Sequence, residues 1–172
     1  GIPVHDSDQA VHKALAVDGP ALRAIRQRFP EAYQRGFVDR KALGKIVFND
    51  DAAITDLECI LHPIVKRDRL RFLKRCRSQQ ILLAVIDVPL LFETGIHQEC
   101  YQTIVMSAPS SVQARRVLSR SGMTVEKFQA VKSRQMPDIE KRKLGDIIIP
   151  SHLGRRLTIN KLKKFFYNLR CR

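Results

Sequence analysis

Acidic side chains are in short supply in this chain. Its 17 Asp and Glu stand against 31 Lys and Arg, a formal net charge of +14 with a pI near 10.2. Such an imbalance favours polyanionic partners: nucleic acid, anionic lipid, or small ligands carrying several phosphates. Cysteine is sparse too. Cys59, Cys76, Cys100 and Cys171 form neither a Cys-x-x-Cys pair nor a dense framework. That spacing argues against a zinc site or disulfide scaffold and for free thiols in a reducing compartment. The longest apolar run is far too short to span a bilayer, and the first residues lack a basic-then-apolar signal pattern. The eight glycines are scattered, and none belongs to a Gly-x-x-x-x-Gly-Lys-Ser/Thr loop, whose backbone N–H groups would cradle phosphate. The one Gly-Lys pair, Gly44-Lys45, sits inside a helical pattern. Repeats, low-complexity tracts and Gly/Ser-rich linkers are also missing.

With 172 residues and 44% apolar content, the chain can bury a core as one globular domain, with room for an inserted subdomain. The run Ile81-Leu82-Leu83-Ala84-Val85-Ile86, ending in Asp87 and Pro89, predicts a fully buried parallel strand over 81–87. Asp87 would emerge at its C-terminal end, where open α/β sheets place their ligand crevice. Further strands are predicted at the start of the chain, over 103–106 and over 147–149. Helices are predicted over 8–18, from Pro20 to Phe29, and over 40–48 with Asp39 as N-cap. Two more run over 51–61 and 63–79, with Pro63 in the first turn of the second. Beyond the strand at 103–106, Ser110 or Ser111 caps a helix to about 121, and Thr124 caps another from Glu126. Pro137-Asp138 opens a short helix, and the last runs over 155–169. Strands alternating with helices imply a parallel α/β sheet, and the helix-only block before residue 81 exceeds a simple crossover.

The string Asp87-Val88-Pro89-Leu90-Leu91-Phe92-Glu93 resembles the nucleotide-binding core of dephospho-coenzyme A kinases. Four further segments resemble parts of that family in the same order. They are the opening Gly1-Ile2-Pro3-Val4-His5-Asp6-Ser7-Asp8, with its Asp-x-Asp turn; Ile60-Leu61-His62-Pro63; Arg115-Arg116 through Gly122; and Gln135 with Gly145-Asp146-Ile147-Ile148-Ile149. The resemblance covers about residues 1–154. It implies a parallel-sheet, P-loop-kinase-like α/β core with a helical substrate-binding insertion and a helical lid. It also implies that a central first strand and the phosphate loop are absent and would precede Gly1, so that the strands at 81–87 and 103–106 stay unpaired with each other. The expected parts are a core made of 1–8, 81–109 and 145–172, a coenzyme A-binding subdomain over 9–80, and a lid over 110–144.

The resemblance implies transfer of the ATP γ-phosphoryl group to the 3′-hydroxyl of dephospho-coenzyme A, the last step of coenzyme A biosynthesis. ATP and Mg²⁺ serve the reaction, and the setting is cytoplasmic. Asp8, the second carboxylate of the Asp-x-Asp, takes the general base, with Asp6 in support on the substrate side; a capping pair is the alternative. Arg116 and Arg120, four apart on a predicted helix, are catalytic cations for the phosphoryl oxygens, or else a solvated basic face. Arg116 also contacts ATP, together with Gln135 and Ser151, where Ser151 stands in the position of a family Asn. His62, Pro63, Leu90, Phe92 and Glu93 line the substrate site, and Asp87 is the metal ligand. Residues 66–77 carry Lys66, Arg67, Arg69, Arg71, Lys74, Arg75 and Arg77 against Asp68 alone, and Lys66, Arg67 and Arg69 suit a pyrophosphate. Two other readings stand beside this one: a basic nucleic-acid-binding module built on residues 62–77 and Lys161, Lys163 and Lys164, and a non-catalytic remnant of the kinase. No membrane or nucleic-acid partner is expected, because no recognition motif accompanies the basic residues.

Overall fold

The computed structural model describes residues 1–34, 36–48 and 50–170, so Cys171 lies outside the described residues. The chain forms two compact units, Gly1–Pro89 and Leu90–Arg172.

The first unit opens with strand β1 (Val4–Asp6) and passes at once into helix α1 (Ser7–Ala14). Asp6 is the junction. Its backbone is still extended, and its carboxylate accepts the Gln9 N–H at 2.9 Å, satisfying a donor that the first helical turn leaves free. Asp8 is therefore the second residue of a helix, so the strand does not continue through it, and Asp6 takes the capping role, the alternative for this pair. Helix α1 also stops four residues short of the predicted 18. Asp18 adopts a positive φ of 59°, and the Ala21 N–H turns back to donate to the Ala14 carbonyl at 3.1 Å. Gly19 lies against that carbonyl so closely that any Cβ would collide, so the corner needs glycine.

Helix α2 (Leu22–Arg28) follows, then a single 3₁₀ turn at Pro30–Ala32 and a small antiparallel hairpin, β2 (Tyr33–Gln34) with β3 (Phe37–Val38). Sequence reading did not anticipate this hairpin. Helix α3 spans Arg40–Phe48 as predicted, with Asp39 Oδ1 accepting the N–H groups of Lys41 and Ala42 at 2.8 and 3.1 Å. Helix α4 runs unbroken from Asp51 to Ser78, with Pro63 inside it. The two helices expected on either side of residue 62 are thus one. An interior proline costs about 3 kcal/mol through its missing N–H and its clash with the preceding turn. Here Leu57, Ile60, Leu61 and Ile64 pack on the core from both sides of it, and their burial holds the helix continuous. The core they join contains Ala14, Leu15, Ala21, Ile25, Phe29, Ala32, Val38, Leu43 and Ala53.

Strand β4 (Val85–Asp87) pairs in parallel with β1, in the register Val4↔Val85, His5↔Ile86, Asp6↔Asp87. It is shorter and more exposed than predicted. Leu82 is fully solvent-exposed, and Val85 and Ile86 are only half-buried. Pairing begins where the Val85 N–H reaches the Pro3 carbonyl at 2.9 Å. Among the described residues no strand lies beside 81–84, and apolar character alone does not make a ladder.

In the second unit, β5 (Ile104–Ser107) and β6 (Ile147–Pro150) form a parallel pair with Val105 opposite Ile148. Among the described residues, β4 has one ladder partner, β1, and β5 has one, β6. Between β5 and β6 come α5 (Ser110–Leu118), α6 (Val125–Ser133) and α7 (Asp138–Leu144), and α8 (Arg155–Arg170) follows β6. Thr124 caps α6 as predicted, accepting the Lys127 N–H. The cap of α5, however, is Pro109. Ser110 is already its first helical residue, and Gln113 Nε2 reaches back to the Ala108 carbonyl at 2.7 Å.

A polar clasp aligns the β5–β6 pair at its start. Asp146 Oδ2 accepts both the N–H and the hydroxyl of Thr103 at 2.7 Å, while the Asp146 N–H donates to Thr103 Oγ1 at 3.1 Å. The Thr103 hydroxyl and N–H hold the Asp146 carboxyl below the usual aspartate range. Its pKa is depressed on folding, so its contribution is present above about pH 4, the unfolded aspartate range, and is lost as pH falls through the folded value. Asp146→Asn is expected to be less stable than the parent at pH 7, with the gap narrowing below about pH 4. Denaturant unfolding at pH 7 and pH 3 measures this; a gap unchanged between the two would show that the carboxylate charge contributes nothing.

Candidate functional site

The chemistry-bearing residues of the first unit gather at the C-terminal ends of its parallel strands. Asp6 and Asp87 are register partners there, at the spacing of adjacent strands, and Asp8 follows in the first turn of α1. Burial raises the Asp87 pKa, and the charges of Asp6 and Asp8 raise it further. Three carboxylates thus share one small region, and Asp87 is the one whose ionisation burial and its neighbours oppose. This is a place for a cation or for a proton in transit. Among the described residues no group of three His, Cys, Asp or Glu forms a ready metal cage. Mg²⁺ does not require one, since it is held by one or two carboxylates together with water and substrate phosphates. Oxygen donors at a strand end fit that ion.

Behind this edge, buried His5 is 3.1 Å from Asp68 through Nε2 and packs on Phe72, fastening β1 to α4. His62 and Pro63 are exposed, in the middle of α4 and not at a helix start, so the predicted first-turn setting of the His-Pro pair is corrected. Arg69, expected to face a pyrophosphate, is buried, whereas Lys66 and Arg67 are exposed. Two residues that sequence reasoning passed over meet beside helix α1, which carries Asp8. Arg40 Nη2, at the start of α3, lies 2.7 Å from Nε2 of His12 on α1.

In the second unit, Arg116 and Arg120 do not share a helix face. Helix α5 ends at Leu118 with Ser119 as its C-cap, and Arg120 lies in the turn beyond, its N–H on the Val117 carbonyl. The helix stops because no buried residue anchors a further turn and Gly122 follows with a positive φ of 77°. Arg116 is engaged. It donates to the Ser151 carbonyl at 2.8 Å and to Ser151 Oγ at 3.1 Å, so two of the predicted nucleotide contacts meet each other. Ser151 is fixed in turn by its N–H and hydroxyl on the Ser107 carbonyl.

Glu93 ties the segment after β4 to the end of the helical excursion. It accepts the Met136 N–H at 2.9 Å and Lys141 Nζ at 2.8 Å, and these bonds lower its pKa despite the opposing effect of burial. Gln135, one residue away, is thereby positioned on an exposed turn. Phe92 is buried and packs on His97 at 5.2 Å, so it shapes the path of 90–93 from inside; Leu90 is half-buried. A cavity of about 730 Å³ opens at the C-terminal ends of β5 and β6. Ser107, Ser110, Gln113, Lys132, Arg142 and His152 line it. The size is that of a small-molecule site, and the carboxylate of Asp138 stands among its cations.

Comparison with known proteins bears on the same residues. A sequence model of the family described as dephospho-CoA kinase matches residues 1–153. The dephospho-CoA kinase of Mesorhizobium japonicum is 46% identical over 154 residues, covering 90% of this chain and 77% of its own. That of Paramagnetospirillum magneticum is 47% identical over 142 residues, covering 83% of this chain and 67% of its own. Among solved structures, TT1252 from Thermus thermophilus superposes with a TM-score of 0.80 at 32% identity, over 98% of this chain and 85% of that one. The dephospho-CoA kinase from Campylobacter jejuni shares the fold, with a TM-score of 0.66 at 24% identity over 96% and 85% of the two chains.

Proposed function

Since the chain belongs to the dephospho-CoA kinase family, we propose how its own residues divide the work of phosphorylating dephospho-CoA. The activity is that of an ATP-using kinase of coenzyme A biosynthesis, and its substrate is dephospho-CoA. The acceptor is the 3′-hydroxyl of the substrate ribose. Asp8 accepts the hydroxyl proton, supported by Asp6, which fixes the start of α1. The observation that carries this reading is the carboxylate group at the ends of β1 and β4, within the matched residues 1–153.

His62, Pro63, Leu90 and Glu93 contribute to the substrate side, with Phe92 as their internal support. Arg116 and Arg120 neutralise charge that develops on the phosphoryl oxygens, and Gln135 and Ser151 contact ATP. Mg²⁺, held by Asp87, would screen the charge of the phosphates. Residues 9–80 form the substrate subdomain, 110–144 the lid, and 1–8, 81–109 and 145–172 the nucleotide core. The setting we propose is cytoplasmic, in keeping with a metabolic kinase family. Separately, no described helix is long and apolar enough to cross a membrane.

No Gly-x-x-x-x-Gly-Lys-Ser/Thr occurs among the 172 residues. The triphosphate then lacks its backbone cradle, and the chain by itself is expected to bind dephospho-CoA without turning over ATP. Calorimetric titration with dephospho-CoA and an assay for coenzyme A test both halves. Absence of binding would remove the substrate reading. Coenzyme A formed by the chain alone would mean that phosphate is held without such a loop. Tight, steeply salt-dependent binding to random oligonucleotides would favour the nucleic-acid alternative instead.

A further inference from the structure

The contact between Arg40 and His12 is unusual because it joins two basic side chains. Arginine has donors only, so at 2.7 Å its Nη2–H donates to Nε2 of a neutral imidazole whose proton is on Nδ1. Both side chains are exposed, and among the described residues neither pairs with a carboxylate. The nearest acid in sequence, Asp39, has its Oδ1 engaged by the N–H groups of Lys41 and Ala42. The guanidinium is thus held in one orientation by an uncharged partner, with most of its five donors open. A planar fork fixed in this way is suited to two oxygens of one phosphate.

Its position gives the fork a task. Asp8 and His12 are four apart within α1, so they share a face and are separated by about 6 Å along the axis. We propose that Arg40, oriented by His12, which lies one helical turn from Asp8, is an anion subsite for the 5′-diphosphate of dephospho-CoA. This rests on the substrate reading given above. The diphosphate is attached to the same ribose that carries the accepting hydroxyl. Fixing one end of that sugar leaves the other few places to go and presents the hydroxyl to Asp8. His12 is a positioning residue in this scheme, and Arg40 a binding one.

The alternative location is a smaller cavity of about 280 Å³ between α1 and α4, bordered by Lys13, Arg67 and Arg71. Calorimetric titration of the 172-residue chain with dephospho-CoA, inorganic pyrophosphate and phosphate-free pantetheine separates the two. Arg40→Ala is expected to weaken dephospho-CoA and pyrophosphate by about 10–100-fold, as loss of a charge-assisted phosphate contact does, and to leave pantetheine unchanged. Arg40→Lys keeps the charge without the fork and should recover only part of the affinity. His12→Ala should weaken pyrophosphate less than Arg40→Ala does. Unchanged dephospho-CoA affinity in folded Arg40→Ala or Arg40→Lys, checked by thermal melting, overturns the subsite while leaving the substrate reading intact. A loss confined to Arg67→Ala or Arg71→Ala also overturns it and moves the diphosphate to the smaller cavity. Pyrophosphate bound through Arg40 by a chain that ignores dephospho-CoA would sustain the subsite and defeat the substrate reading.

Discussion

Asp8→Asn is expected to cut turnover by about 10²–10⁴-fold in a form of the chain joined to a strand and phosphate loop from a relative, the usual worth of a positioned acid–base group. Dephospho-CoA binding should change little, because the amide keeps the shape of the carboxylate. The structure adds an internal control. The Asp8 charge helps to raise the Asp87 pKa, so the variant should let Asp87 titrate lower, visible in the pH dependence of its carboxyl resonance. Turnover within a few-fold of the parent, with Asp87 shifted, would show that Asp8 is part of the carboxylate group but is not the base.

Arg116→Ala should lower turnover in the same form by about 10²–10³-fold, with a far smaller effect on dephospho-CoA affinity, since its partner is charge that appears in the transition state. Arg116→Lys should restore only part of the rate, because a point charge lacks the planar fork. In the structure that fork rests on the Ser151 carbonyl and hydroxyl. Catalysis by Arg116 therefore requires it to leave Ser151 or to share it with the nucleotide. A mutant whose only defect is a raised KM for dephospho-CoA would assign Arg116 to substrate binding.

Local chemistry was the legible part of this fold. Asp39 before an amphipathic run, Thr124 before another, and the apolar segments around Val105 and Ile148 each predict an element that is present. The opening was misread although its signal is local. Asp6-Ser7-Asp8-Gln9 has the spacing of an N-cap followed three residues later by Gln, which places the helix start at Ser7. With that start, Asp8 and His12 fall on one helix face. Their link to Arg40 was not legible, because 28 residues separate His12 from Arg40 and only folding brings them together. Pro63 failed as a boundary for a similar reason: contacts made by Leu57 and Ile64 outweigh a local preference. Residues 81–84 failed in the opposite direction, since hydrophobic character cannot supply the neighbouring strand that a ladder needs.

The two parallel ribbons, β1–β4 and β5–β6, each have a single ladder among the described residues and so carry backbone groups on their outer rows that no described strand covers. Fully exposed Leu82 adds an oily neighbour to one of them. Proteins commonly blunt such edges with a bulge, a proline or a covering segment. Repulsion between like-charged molecules bearing a net +14 also opposes their contact, and it acts over a Debye length of about 8 Å in physiological salt. Added electrolyte or a polyanion shortens or cancels it. Added salt therefore weakens one of the forces that keep copies of this chain apart.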